Sequence, residues 1–227
     1  MLRSWDKLPA RLQTNAVRPY YEVLQRHKLA LVCKRLCDLL LAILLLVLLA
    51  LPMLVIALLI KLEDRGPIFF RQERVTQYCR IFRIFKFRTM TVKQDAKASQ
   101  VTTKNDNRIT RIGHFLRKTR LDELPQLFNI LTGDMSLVGT RPEVETFVNS
   151  YSPEMYATLL LPAGVTSLAS IEYKDEARLL SEADDPHQTY VDKVLPAKMK
   201  INLEQLANFS FAQELSLLLK TVLAILR

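Results

Sequence analysis

Residues 39–60, LLLAILLLVLLALPMLVIALLI, carry no charged side chain and a single proline, and how they are read decides the fold. About 22 apolar residues extend about 33 Å as a helix, close to the thickness of a bilayer's hydrocarbon core. A cleaved leader is a poor reading, because residues 1–38 precede the run and no A-x-A-like site follows it, so the segment is expected to stay in the mature chain. Lys34 and Arg35 stand just before it, and Lys61, Arg65, Arg71 and Arg74 follow. Basic flanks favour the cytoplasmic side at both ends. Pro52 removes one backbone hydrogen bond inside the run, so a kinked span and a re-entrant hairpin lodged in one leaflet both satisfy the pattern. Asp38, near Lys34 and Arg35, reads as an interfacial ion pair at the helix start.

Working outward, 227 residues with 49% apolar composition, 10 Phe and 7 Tyr can build a real core, which excludes a disordered chain. The net charge of +9 is unevenly spread: residues 1–120 hold 24 Lys and Arg against 8 acids, and residues 121–227 hold 8 against 15. A cationic first half suits phosphate ligands, an anionic membrane surface or nucleic acid, and charge alone does not choose among them. Cys33, Cys37 and Cys79 form no C-x-x-C pair, so neither a zinc site nor a disulfide framework is expected. His27, His114 and His187 stand in no metal-ligand spacing.

Residues 1–33 are basic and broken by Pro9 and Pro19, and read as a short amphipathic segment at the membrane surface. After the apolar run, Gly66-Pro67 marks a turn, IFFRQERV reads as a strand ending near Thr76, and RIFRIFKFR (80–88) as a second strand interleaving Phe and Ile with Arg and Lys. Beside a membrane helix such a strand can rest Phe on lipid and aim Lys86 and Arg88 at phosphates. Residues 91–107 have the composition of a mobile loop. In the next helical segment Leu124, Leu127, Phe128 and Leu131 follow i, i+3, i+4, i+7 and are expected to face the core. Gly133 stops that helix, and a further helix is expected over 143–161. The tail from Ile201 carries an apolar stripe through Leu203, Leu206, Phe209, Leu215, Leu219 and Leu223, an interfacial or core helix.

Within TRLDELPQLFNILTGDMSLVGTRPE (119–143), Asp122 and Glu123 lie behind a run of bases and ahead of a Gly-Thr-Arg-Pro turn. Taken alone, Thr119 followed by an acid three residues on, with Pro125 in the first turn, is a helix start and the acids its caps. Taken with its surroundings, the pair can do chemistry on phosphate. Adjacent helical side chains diverge by about 100°, so the two acids would take different roles. An Asp122 kept ionised by the helix dipole can attack phosphorus, and Glu123 can hold a hard divalent ion such as Mg²⁺. Arg111, Arg117, Lys118, Arg120 and Arg141 are available to neutralise a pyrophosphate.

The ordered set KRLCD, the apolar run, GPIFFRQERV, IFKFRTM, RITRIGHFLRKTRLDELPQLFNIL, GDMSLVGTRP and a closing amphipathic helix resembles the monotopic phosphoglycosyl transferases, or bacterial sugar transferases, from about Lys34 onward. The resemblance implies transfer of a phosphosugar from a nucleoside diphosphate sugar, usually UDP-linked, to a polyprenyl phosphate at the cytoplasmic face of the bacterial inner membrane, with release of UMP. It makes Asp122 the nucleophile of a covalent phosphosugar intermediate and Glu123 the residue working with Mg²⁺. Lys86, Arg117 and Arg141 match active-site bases. It also favours the re-entrant form of the membrane helix, broken near Ala50, Leu51 and Pro52. The sequence departs from the common family pattern at Thr140 and in GVTSLASIEYKDEARLL from Gly164, where sugar choice is open.

The expected architecture is α+β and mainly α. A basic segment 1–33 leads into a re-entrant or single-span membrane helix 34–61, followed by a compact helical catalytic domain 62–227 with a short β element and interfacial amphipathic helices. The expected site is Asp122 and Glu123 for catalysis and metal, with Lys86, Arg88, Arg117 and Arg141 on phosphate and Pro52 breaking the membrane helix. The expected partners are a nucleotide-sugar donor, a polyprenyl phosphate acceptor and the lipid bilayer, without nucleic acid; a homo-oligomer is left open. The rival expectation is a non-catalytic, membrane-anchored basic module that binds anionic lipid or nucleic acid.

Overall fold

The computed structural model describes residues 2–91, 108–173, 176–181, 183 and 185–226. The loop expected over 91–107 lies outside them beyond Thr91. Helix α1 (Arg18–Arg26) leads into α2 (Lys28–Leu48) and α3 (Ala50–Asp64), which meet at Leu49 with a bend of 62°. The break falls three residues before Pro52, where sequence reading had set it. Pro52 cannot donate to the Leu48 carbonyl and its ring crowds that oxygen, so the helix fails one turn upstream. Pro52 itself lies in the first turn of α3, where a missing N–H costs nothing. Among the described residues no single helix is long and apolar enough to cross a membrane, although the bent pair passes the same test together. Both limbs leave apolar side chains bare, among them Leu40 (68% exposed), Val47 (71%), Leu51 (70%) and Leu58 (58%).

Strands β1 (Phe69–Thr76) and β2 (Arg80–Phe87) form the antiparallel hairpin, in register from Phe69 opposite Phe87 to Thr76 opposite Arg80. Period-2 alternation assigns its faces: Phe82 and Ile84 go inward, while Phe85, on the other face, takes the Arg71 guanidinium over its ring at 4.2 Å. Helix α4 (Arg111–Thr119) starts at Thr110, whose hydroxyl accepts from the Gly113 N–H, and stops at Arg120 in the left-handed region. Thr119 is therefore the last residue of α4 and not a cap; its hydroxyl donates back to the Phe115 carbonyl at 2.9 Å. A 3-10 turn, Leu121–Glu123, precedes α5 (Gln126–Thr132), which Gly133 ends at φ 84°. Of the four expected core residues Leu127 is buried, but Phe128 stays 41% exposed because α5 runs beside β2 and turns that side outward.

Two four-residue strands that sequence reading missed, β3 (Met135–Val138) and β4 (Ala163–Thr166), pair in parallel at the centre of the molecule. They approach so closely that a Cβ on Gly164 would lie 2.2 Å from the Gly139 backbone. The helix expected over 143–161 is instead α6 (Glu145–Val148) and a 3-10 stretch Met155–Leu160, separated by Ser152-Pro153. Helices α7 (Leu168–Glu172), α8 (Glu176–Ser181) and α9 (Pro186–Thr189), then a π turn Tyr190–Val194, lead into α10 (Leu195–Ala207) and α11 (Phe211–Leu226). The tail is thus two helices. Leu203, Leu206 and Phe209 are core, whereas Leu215, Leu219 and Leu223 lie open on α11.

Residues 2–33 are not a separate surface segment. Leu12, Val17, Tyr21 and Leu24 are buried in one cluster with Leu160, Leu195 and Met199, and each such side chain contributes roughly 1.5–3 kcal/mol by leaving water. The N-terminal segment thus completes the core under α10. A second cluster joins α2, β2, α5 and β3 through Ala42, Phe82, Ile130 and Met135; a third seats Phe87 and Leu116 on Met53, Ile56 and Ile60 of α3.

Candidate active site

Asp122 and Glu123 occupy the 3-10 turn between α4 and α5 because Arg120 ends one helix in a left-handed conformation and Pro125 can only begin the next. The turn lies over β2. Lys86, on the inward-facing register of that strand, donates to Glu123 Oε1 at 2.9 Å. From the other side Arg141, after the β3 strand, donates to the same oxygen at 2.7 Å and reaches Oε2 at 3.5 Å. Thus three segments far apart in sequence converge on one carboxylate.

Burial by itself would raise the Glu123 pKa, but Arg141 and Lys86 more than reverse it and hold the carboxyl far below the usual range. Glu123 is a fixed anion. Arg141 answers in kind, its guanidinium stabilised first by Glu123. Burial pushes the Lys86 amine down, with Glu123 opposing. Asp122, only 8% exposed, moves the other way: burial and the Glu123 charge raise its pKa, against Lys86, Arg117 and Arg141. The helix-dipole stabilisation expected for Asp122 is overridden by desolvation, since it lies on a short turn and not at the start of a long helix. Two neighbouring acids are thereby pushed in opposite directions.

Arg117 reaches the site from the last turn of α4, its Nε donating to Thr89 Oγ1 at 2.9 Å. Thr89 is a site residue that sequence reading missed, since a lone threonine in KFRTM gives no signal. Arg88 does not join Lys86 and Arg141 at the acid pair. It is 6% exposed and forks onto Asp64, with Nη1 to Oδ2 at 2.6 Å, while Nε donates to the Pro67 carbonyl at 2.5 Å. The strand alternation that turns Lys86 toward Glu123 leaves Arg88 beyond the strand end, where it fastens the last turn of α3. Gly66 makes room for it: a Cβ there would come within 2.6 Å of the guanidinium.

No group of three or more His, Cys, Asp or Glu that could hold a metal occurs among the described residues. Asp122 and Glu123 supply two adjacent carboxylates, the kind of ligand that Mg²⁺ takes beside phosphates, although the Glu123 oxygens accept from Lys86 and Arg141.

A family model described as bacterial sugar transferase matches residues 29–227. The chain belongs to the bacterial sugar transferase family. Among its relatives in that family, a protein of Aeromonas hydrophila named UDP-N-acetylgalactosamine-undecaprenyl-phosphate N-acetylgalactosaminephosphotransferase is 38% identical over 197 residues, which cover 85% of this chain and 43% of that one. The exopolysaccharide production protein PSS of Rhizobium leguminosarum bv. phaseoli is 35% identical over 201 residues, covering 86% of this chain and 95% of the relative. A UDP-glucose:undecaprenyl-phosphate glucose-1-phosphate transferase of Klebsiella pneumoniae is 41% identical over 144 residues, 62% of this chain and 31% of that one. The chain spans less than half the length of the Aeromonas and Klebsiella sugar transferases it matches.

Proposed function

We propose that this chain transfers a phosphosugar from a UDP-sugar to undecaprenyl phosphate, giving the polyprenyl diphosphate sugar and UMP, the first membrane step of a polysaccharide or glycoconjugate. The observation that carries the reading is the contrast between Glu123, clamped by Lys86 and Arg141, and Asp122, buried beside it with its pKa raised. Family membership and the relatives' names support it.

In the first step an Asp122 oxygen bonds the phosphorus that carries the sugar, and the bond from that phosphorus to the bridging oxygen breaks, releasing UMP. In the second, a phosphate oxygen of the acceptor bonds the same phosphorus and the aspartyl oxygen leaves, restoring the carboxylate. No proton need move in either step, so catalysis rests on orientation and charge. A raised pKa makes Asp122 the more basic and better nucleophile once ionised. Arg141 and Lys86, held by Glu123, and Arg117, held by Thr89, present fixed positive charge to the transferred phosphoryl group. Mg²⁺, when held by Glu123 and Asp122, would neutralise pyrophosphate charge. Purified protein given undecaprenyl phosphate and a panel of UDP-sugars is expected to release UMP; release of UDP would mean an ordinary glycosyltransferase.

The bent pair α2–α3 enters and leaves one leaflet from the cytoplasmic side in this reading. Bare apolar side chains on both limbs and bases at both ends support it. On a cysteine-free background, single cysteines at positions 20 and 70 are expected to label from the same side, and opposite sides would defeat the hairpin. Pro52→Ala restores the donor to the Leu48 carbonyl and removes a clash worth about 3 kcal/mol, so a straightened, spanning fraction should appear as position-70 labelling from the far side.

A further inference from the structure

The strongest feature outside the reacting groups is a buried chain of hydrogen-bonded and ionised side chains behind Arg141. Arg141 lies mid-turn, and every other part of that turn is fixed. The Gly139 N–H donates to the Thr166 carbonyl and the Thr140 carbonyl accepts from the Gly164 N–H, both at 2.9 Å. Arg74 donates to the Pro142 carbonyl at 3.1 Å, and the Val75 N–H donates to the Glu143 carbonyl at 2.9 Å. The Glu143 side chain, 6% exposed, accepts from the Tyr190 hydroxyl at 2.6 Å. Lys198, 4% exposed, stands 3.4 Å from that hydroxyl and donates to Glu176 at 2.7 Å.

Glu143 is two residues from Arg141 and is the natural competitor of Glu123 for its guanidinium. Its Oε1 is taken by Tyr190, with Lys198 ion-paired at 4.0 Å to the same oxygen, and Arg74 stands 3.9 Å from its Oε2. Burial lifts the Tyr190 phenol far above its ordinary range, so the hydroxyl only donates to this carboxylate. Removing charges from water is a poor way to gain stability, so such a chain beside a reacting centre points to placement of a group. The π turn beginning at Tyr190 is the type of helix irregularity that recurs at functional sites.

We propose that Tyr190 is a positioning residue for the transfer reaction: by occupying Glu143 it leaves the Arg141 guanidinium to Glu123 and the substrate phosphates. Through Lys198, which stands by its hydroxyl and holds Glu176, it also ties the GVTSLASIEYKDEARLL stretch, where this chain departs from the common family pattern, to the reacting centre. The inference rests on the phosphosugar-transfer reading. Tyr190→Phe keeps the ring packed on Phe147, 4.6 Å away, and removes only the donor.

The test is a double-mutant cycle on nucleotide release with a UDP-sugar and undecaprenyl phosphate, using Tyr190→Phe, Arg141→Lys and both together. Tyr190→Phe is expected to lower kcat/KM about tenfold in the native background and less than twofold beside Arg141→Lys. An equal loss in both backgrounds, or no loss at all, overturns the positioning role. If Tyr190→Phe does not fold, Glu143→Gln, which still accepts from the hydroxyl but no longer competes as an anion, tests the same point: it is expected to keep kcat/KM within about twofold of the native value, and a loss of about tenfold overturns the positioning role. A native protein that releases UDP and not UMP defeats the reaction reading, and the cycle read on UDP release still decides the positioning role.

Discussion

Asp122→Asn is expected to lower UMP release about 10⁴-fold or more, ~5.4 kcal/mol in the barrier, and at the same time to raise the thermal midpoint. The first effect follows from the lost nucleophile, since the amide oxygen cannot form a stable bond to the transferred phosphoryl group. The second follows from the direction of the Asp122 pKa. It is raised in the folded protein, chiefly by burial, so at neutral pH the ionised carboxylate opposes folding. That opposition fades as pH falls through the folded-state pKa, and asparagine removes it at every pH. The gain in midpoint should therefore be larger at pH 8 than at pH 4. A donor labelled in its β-phosphate should leave label on the native protein and none on the variant. Label retained undiminished by Asp122→Asn would sink the nucleophile assignment, and a midpoint lowered by the substitution would mean that the Asp122 charge is stabilised in its recess.

The same turn shows what the sequence could and could not reveal. Motifs in a fixed order singled out Lys86, Arg117, Arg141 and the acid pair, which the fold brings together, and the hairpin was legible because alternation over eight residues defines its faces. Thr119 was misread because a threonine three residues ahead of an acid also arises where one helix ends just before the next turn begins; here the left-handed Arg120 separates the two. Arg88 was misread because strand alternation does not reveal where a strand stops, and two residues past Lys86 the chain has left the ladder. The β3–β4 pair is four residues long, parallel and joined across a long connection, so neither alternation nor a turn motif announces it. The N-terminal segment looked superficial because bases and two prolines interrupt its apolar residues; their burial depends on a groove made by residues some 140–190 positions away, including Leu160, Leu195 and Met199.

Lys34→Met is expected to cost about 3 kcal/mol, which for a chain of this size is roughly 6–12 °C in thermal midpoint. Lys34 is 7% exposed, donates to the Val138 carbonyl at 2.8 Å and pairs with the buried Glu214 of α11. One turn on, Asp38 accepts from the Ser136 hydroxyl at 2.7 Å and the Leu137 N–H at 3.0 Å. The first limb of the bent pair is thus fastened to β3 and to the last helix by charges shielded from water. Burial already raises the Glu214 pKa against the pull of Lys34. Without Lys34 that pKa rises further, and between the unfolded and folded values the folded chain binds the extra proton, so stability falls as pH rises through that window. The deficit of Lys34→Met should accordingly be smaller at pH 5 than at pH 8. Lys34→Met/Glu214→Met removes both charges and fills their space, and is expected to recover most of the loss and to abolish its pH dependence. Unfolding followed in detergent or lipid nanodiscs at the two pH values reads all three forms. A single variant within about 1 °C of the native protein, or a double variant as unstable as the single at both pH values, would show that this pair does not fasten α2 to α11.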